Sequence, residues 1–301
     1  MSPEQPTGQP AAQVLVPVLA VVGVGLIGGS FAAALRRAGQ AGRVLGVGRN
    51  PASLADAQAM GLIDEIVTPQ EAAARADLIM LATPVGSLGP MLVSMRDHLQ
   101  AHTILTDAGS TKAEVVAAAS QALGDRLAAF VPGHPIAGAE RTGPQAADAT
   151  LYAGRTVILT PLAQNPPRAV QTVRAAWQAC GAEVLDMEAA EHDRVLASIS
   201  HVPHFLSAAY MAQVAEAADA PLRLALAGSG FRDFTRIAAG SPEMWRDIFL
   251  SNRAAMQTEL SALRAVLDRC EAALAAEDGE ALQQWLQRAA LARRGWRKEA
   301  S

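Results

Sequence analysis

Val21–Ser30 reads VVGVGLIGGS, inside an uncharged run that extends from Val14 to Leu35. A run of roughly 20 uncharged residues is long enough to cross a bilayer. Two features oppose that reading: glycines stand at positions 23, 25, 28 and 29, and no basic residue precedes the run. VLVPVLAVVG (14–23) is continuous and rich in β-branched residues, as a strand buried on both faces should be. GVGLIG (23–28) then supplies G-x-G-x-x-G, and SFAAALRRAG (30–39) reads as a helix stopped by Gly39. RVLGVG (43–48) is a second apolar strand, so the stretch forms a βαβ unit. The three glycines do different things: Gly23 permits the tight turn, Gly25 the close approach of a pyrophosphate, and Gly28 helix–strand contact. Leu26 and Ile27 open the helix, whose free N–H groups bind an anion. Gly23, Gly25, Leu26, Ile27 and Gly28 are therefore the expected core of a dinucleotide site.

At the end of the second strand an acid selects NAD by bonding the ribose hydroxyl, whereas an arginine accommodates the phosphate of NADP. The chain has Gly48-Arg49-Asn50-Pro51 and no acid there. Arg49 and Asn50 are expected at the cofactor, with NADP favoured over NAD. The alternative is a solvated Arg49 beside a helix capped by Asn50 and begun by Pro51.

The alternation continues. Thr68-Pro69-Gln70-Glu71 spells a capping box, and ADLIMLA (76–82) is a buried strand ending at Thr83-Pro84. Ligands lie beyond the carboxyl ends of parallel strands, so Thr83 and Pro84 should line the cofactor. A strand at 103–106 leads into DAGSTK (107–112), where Thr111 and Glu114 suggest a second capping box and Ser110 sits at the strand-to-helix junction. LAAFVPGHP (127–135) predicts a strand ending at His134, at the same edge. Further strands are expected at 156–160 and 183–187, around a helix at 169–179.

After about Glu188 the strand pattern stops, and alanine- and leucine-rich helices run onward. Met256, Leu260, Leu263, Leu267, Cys270 and Leu274 recur at helical spacing, and Leu282, Trp285 and Leu286 begin another apolar stripe. The expected fold class is an α/β Rossmann domain, doubly wound with a mostly parallel sheet, followed by an all-α dimerisation domain. The expected division is a disordered leader at 1–13, a dinucleotide-binding domain at 14–188 and a helical substrate and dimerisation domain at 189–301. Helices of this kind cover their apolar faces by pairing, so a homodimer is expected.

Composition removes other classes. The 301 residues are 50% hydrophobic and 18% charged, which suits a globular chain, and the net charge of −4 opposes nucleic-acid binding. Cys180 and Cys270 are the only cysteines, far apart, which fits a reducing, cytoplasmic setting. The leader lacks the basic region of a secretion signal, and no membrane association is expected. No metal is expected either: His98 and His102 lie in a polar stretch, and Pro203 separates His201 from His204 as a helix start or kink. His192, in EAAEHDR, reads as solvated. His134 differs, because an imidazole that titrates near neutrality at the cofactor edge suits hydride chemistry.

GHPIAGAE (133–140), DAGSTK (107–112), SHVPH (200–204) and GSGFRDFTRIAAGSPEMWRDI (228–248) resemble the prephenate/arogenate dehydrogenase family, in family order from about Val18 to about Glu259. The resemblance implies oxidative decarboxylation of prephenate or arogenate, with hydride passing to NAD(P), giving 4-hydroxyphenylpyruvate or tyrosine. It implies His134 as base on the ring hydroxyl, Ser110 as a group that hydrogen-bonds the same region and helps orient the imidazole, and Arg236 as the group that binds a substrate carboxylate. Glu140 falls at the pocket mouth, and His204 and Trp245 help form the pocket. Arg232, Asp233 and Arg246 read alternatively as a structural ion-pair set, Trp245 as core and His204 as a helix cap. With helices to the end of the chain, no mutase or regulatory domain is expected. Two other functions compete: a two-domain reductase of the 3-hydroxyacid dehydrogenase type, and a non-enzymatic NADP-binding regulator.

Overall fold

The computed structural model describes residues 14–138 and 141–296, and the chain divides after Glu188 into two compact units. The leader at 1–13 and Glu140 lie outside the described residues.

The first unit begins β1 (Val16–Val22), α1 (Leu26–Arg37), β2 (Ala41–Val47), α2 (Pro51–Ala59), β3 (Glu65–Ile66), α3 (Pro69–Arg75), β4 (Leu78–Leu81) and α4 (Val85–Arg96). It continues with β5 (Ile104–Asp107), α5 (Ala113–Leu123) and β6 (Phe130–Val131). These six strands form one parallel sheet in the order β3-β2-β1-β4-β5-β6. The chain direction across the sheet reverses between β1 and β4, and a crevice opens there at the carboxyl ends of the strands. Alternate residues of β1 serve opposite layers, as the two-residue period requires: Leu19 and Val21 pack with Phe31 and Trp177, Ala20 and Val22 with Leu45 and Leu92. The uncharged run at 14–35 is thus a strand, a turn and a helix. Among the described residues, no helix is long and apolar enough to cross a membrane.

After Val131 the chain leaves the large sheet. β7 (Gly133–Pro135) pairs antiparallel with β8 (Thr156–Leu159), which runs parallel to β9 (Glu183–Asp186) after α6 (Pro167–Ala179). His134 therefore does not end a strand of the Rossmann sheet; it lies inside a strand of a separate three-stranded sheet, opposite Ile158. Pro132 stands at the switch, where it has no N–H to give to a ladder.

Local signals act as their chemistry dictates. Asn50 Oδ1 accepts from the amides of Ala52 and Ser53 at 2.9 and 3.2 Å, with Pro51 opening α2. Thr68 and Glu71 form both bonds of a capping box. The expected Thr111–Glu114 box does not set the start of α5, which begins one residue later with Lys112 in the cap position and no side-chain cap bond from it.

The second unit is helical: α7 (Ala189–Leu196), a π-turn at Ala197–His201, α8 (Val202–Ala215), α9 (Ala220–Ala225) and α10 (Ser229–Thr235). A 3₁₀ turn at Arg236–Ala239 leads to α11 (Pro242–Ser251), α12 (Arg253–Ala275) and α13 (Gly279–Gly295). Along the α12 stripe, Met256 is buried while Leu267 and Leu274 are 47% and 66% exposed. His192 is not solvated: it is fully buried, with Nδ1 2.8 Å from Asp193 Oδ1.

Candidate active site

The crevice of the first unit encloses about 530 Å³ and is lined by Gly23, Gly25, Arg49, Asn50, Thr83 and Pro84, together with Ser53, Ser87, Gly143 and Pro144. Gly23 has φ +92°, and a Cβ on it would lie 2.5 Å from the Ala82 carbonyl oxygen. A Cβ on Gly28 would come within 2.3 Å of Gly23 O and 2.6 Å of Val21 Cγ1, so only glycine lets α1 sit this close to β1. A Cβ on Gly25 would meet nothing within 4 Å, because that face looks into open space. Thr83 Oγ1 is buried there with no hydrogen-bond partner among the described residues. An orphaned hydroxyl and an unobstructed glycine at the head of a helix fit a dinucleotide, with the pyrophosphate over the first turn of α1.

A loop supports that turn from behind. Tyr152 donates its hydroxyl to the Ile27 carbonyl at 2.6 Å, and the Asp148 amide donates to Ser30 Oγ at 2.9 Å. Tyr152 packs edge-on to Trp177, which also meets Phe31. Burial holds the Tyr152 phenol well above its usual range, so it remains a donor.

His134 is 8% exposed. The preceding residue, Gly133, is held at both of its polar atoms. Its N–H donates to Asp107 Oδ1 at 3.0 Å, and its carbonyl accepts from Lys112 Nζ at 2.7 Å. Lys112 also pairs with Asp107 Oδ2, which accepts the Gly109 amide at 2.8 Å, and neither charged side chain is exposed. Asp107 ends β5 and is in register with Leu81, the end of β4, from which the chain runs directly to Thr83 and Pro84. Ser110, half-buried, stands between Gly109 and Lys112 in the same loop. Lys112 and Asp107 escape detection in the sequence because a lysine at a helix start reads as solvated; the usable signal is an acid at a strand end five residues before a lysine. Ser53, in the first turn of α2, is not singled out in the sequence, although its place four residues after Arg49 is a usable signal, whereas nothing in the sequence points to Gly143 and Pro144.

In the helical unit, His204 is buried and stacks on Trp245 with ring centroids 3.5 Å apart and a 14° interplanar angle. Both line a cavity of about 480 Å³ with Ala238, Gly240, Arg246 and Phe249. A Cβ on Gly240 would sit 2.6 Å from Trp245 Nε1 and 3.1 Å from His204 Cε1. Burial lowers the His204 imidazole from its ordinary value, so it is neutral. Arg236 is exposed and opens the 3₁₀ turn that leads toward Gly240. Arg246 does not join an ion-pair set with Asp233; its guanidinium engages Asp247 at 2.7 Å. His201 is buried, its Nδ1 3.0 Å from the Asn252 amide nitrogen. Burial pushes its imidazole down to about 4, Asp193 opposing and His192 assisting.

Residues 31–186 match the family model for the prephenate dehydrogenase nucleotide-binding domain, and residues 188–288 that for the prephenate dehydrogenase dimerization domain. A cyclohexadienyl dehydrogenase of Zymomonas mobilis is 34% identical over 268 residues, covering 88% of this chain and 90% of the relative. A prephenate dehydrogenase of Bacillus subtilis is also 34% identical, over 87% of this chain and 71% of its own. The crystal structure of A. aeolicus prephenate dehydrogenase with hydroxyphenyl propionate and NAD+ superposes with a TM-score of 0.85 at 34% identity, covering 92% of this chain and 96% of that one. Synechocystis arogenate dehydrogenase gives a TM-score of 0.79 at 31% identity, covering 92% and 98%.

Proposed function

The chain belongs to the prephenate dehydrogenase family of NAD(P)-dependent oxidoreductases, and from that premise we propose that it oxidatively decarboxylates prephenate or arogenate in tyrosine biosynthesis, with His134 as the catalytic base. The observation that supports this reading most is the placement of His134 within the first unit. It is buried one residue from a peptide held by the end of β5, beside the strand end that opens the nucleotide crevice.

The substrate carries a ring hydroxyl and, opposite it, a ring carboxylate. The bound nicotinamide supplies the hydride acceptor. Hydride leaves the hydroxyl-bearing carbon while His134 takes the hydroxyl proton, with Ser110 orienting the imidazole. The bond to the ring carboxylate then breaks and carbon dioxide departs. Its electron pair aromatises the ring and puts negative charge on the oxygen that the protonated imidazole faces. In the helical unit Arg236 binds a carboxylate, for which its planar fork is suited. His204 and Trp245 offer a flat apolar wall, and Glu140 is assigned to the pocket mouth.

Gly23, Gly25, Leu26, Ile27, Gly28, Thr83 and Pro84 hold the dinucleotide. We favour NADP over NAD because Arg49 and Ser53 line the crevice where an acid would select NAD. Asn50 lines it too, although its Oδ1 caps α2. The chain works as a homodimer through the helical unit, whose exposed Leu267, Leu274 and Leu286 await a partner face. Two distant free cysteines suit the cytoplasm. A steady-state assay crossing prephenate and arogenate with NAD and NADP tests the reading. Turnover of neither substrate with either cofactor would refute it.

A further inference from the structure

We propose that Lys112 is a positioning residue for His134 and Ser110, acting with Asp107 as a buried ionic bracket between the strand that carries His134 and the loop that carries Ser110. The proposal rests on the reading of His134 as the base.

Lys112 and Asp107 have no exposed side-chain surface. A fully buried lysine is rare, and a buried ion pair is weak support for stability, since apolar residues of similar volume often replace one without loss. What this pair holds is more informative. Asp107 Oδ1 accepts the Gly133 amide at 3.0 Å and Oδ2 the Gly109 amide at 2.8 Å. Lys112 Nζ pairs with Oδ2 and donates to the Gly133 carbonyl at 2.7 Å. Gly133 immediately precedes His134, and Gly109 immediately precedes Ser110. One carboxylate thus grips the residue before each proposed catalytic side chain. The lysine fixes the carbonyl of the peptide that joins residue 133 to residue 134. On its other side β7 is held by β8, with His134 opposite Ile158. Gly133 is closely packed: a Cβ there would lie 3.1 Å from the Asp107 carbonyl oxygen and 3.2 Å from Leu159 Cδ2. Removing the lysine frees the peptide plane, and a misplacement of about 1 Å at a reacting group costs on the order of 100-fold in rate.

The test uses the full-length enzyme with Lys112→Met and with the neutral pair Asp107→Asn/Lys112→Met, each alone and in a His134→Asn background. Melting temperature, NADP affinity and single-turnover rate are measured on all. Lys112→Met is expected to slow turnover about 30- to 100-fold, with NADP affinity within about threefold of wild type. In the His134→Asn background it adds less than about threefold, because a residue that acts through the imidazole has nothing left to position. The double variant, free of a lone buried charge, carries the test if Lys112→Met fails to fold: it is expected to melt near wild type and still be slow. Effects that multiply across the two backgrounds, or wild-type turnover by the double variant while His134→Asn is inactive, overturn the bracket. Normal turnover by His134→Asn alone overturns instead the reading on which it rests.

Discussion

Gly25 and Gly28 belong to one motif and face opposite surroundings, so replacing each by alanine should produce different failures. A methyl on Gly28 lands 2.3 Å from Gly23 O, 2.6 Å from Val21 Cγ1 and 3.0 Å from Ala82 Cβ. Ordinary carbon contacts need roughly 3.5–4.0 Å. The first turn of α1 must then retreat by about 1 Å, against a core that contains the fully buried Phe31 and Leu35. Overpacking of this kind costs about 1–3 kcal/mol, which for a domain of this size lowers the melting temperature by roughly 2–4 °C per kcal/mol. A methyl on Gly25 meets no protein atom within 4 Å, and φ there is −108°, in the extended region open to alanine. Stability should change by about 1 kcal/mol or less, the cost of alanine at a helix cap. The methyl instead occupies the space proposed for the pyrophosphate. Losing one hydrogen bond to a charged group costs about 1.5–3 kcal/mol, or about 10- to 150-fold in affinity. Calorimetric melting with a fluorescence titration of NADPH separates the two. Gly28→Ala should lose stability and affinity, Gly25→Ala affinity alone. Wild-type affinity in Gly25→Ala, or an unchanged melting temperature in Gly28→Ala, refutes the assigned geometry.

Other perturbations have equally definite outcomes. Arg49→Ala should raise KM for NADP about 10- to 100-fold while leaving NAD within a few-fold; equal changes for both cofactors remove Arg49 from the phosphate site. Arg236→Ala should raise KM for the substrate with kcat little altered, as expected when ground-state binding of a carboxylate is lost, and steady-state kinetics showing neither parameter moved rejects that role. Gly240→Ala should push Trp245 off His204, given a Cβ 2.6 Å from Trp245 Nε1, raising KM for the substrate while NADP affinity is kept; an unchanged KM excludes the stack from the pocket. His201 is held neutral by burial, its imidazole pushed down to about 4 from 6.5. Between those values the unfolded chain binds the extra proton, so this contribution is complete above about pH 6.5 and declines toward pH 4, by about 3 kcal/mol in all. Melting curves from pH 7.5 to 4.5 should fall more steeply for wild type than for His201→Gln, and parallel curves contradict the assignment.

The Rossmann half was legible because its signals are local. Apolar runs too short for a buried helix, the caps at Asn50 and Thr68, and the spacing of Gly23, Gly25 and Gly28 each report a neighbour only a few residues away. The sheet switch at Pro132 was not legible, since Phe130–Val131 and Gly133–Pro135 read as one apolar strand and nothing in composition says that pairing partners change between them. Lys112 was hidden for a similar reason: its burial depends on Asp107 and on Gly133, 21 residues away in the chain. His192 looked solvated among Glu191, Asp193 and Arg194, yet one face of α7 turns it inward onto Asp193. The motifs of the helical half marked His204, Trp245 and Arg236, but the stack of the first two depends on Gly240 yielding space, which only coordinates reveal.

The central assignment, His134 as the base in hydride transfer, is tested most directly by the pH dependence of single-turnover NADPH formation from prephenate in wild type and His134→Asn. Loss of a general base should slow the step by about 10²- to 10⁴-fold and abolish the fall in rate on the acid side, with NADP affinity preserved. A His134→Asn enzyme that keeps its rate within threefold and its acid limb unchanged would contradict it.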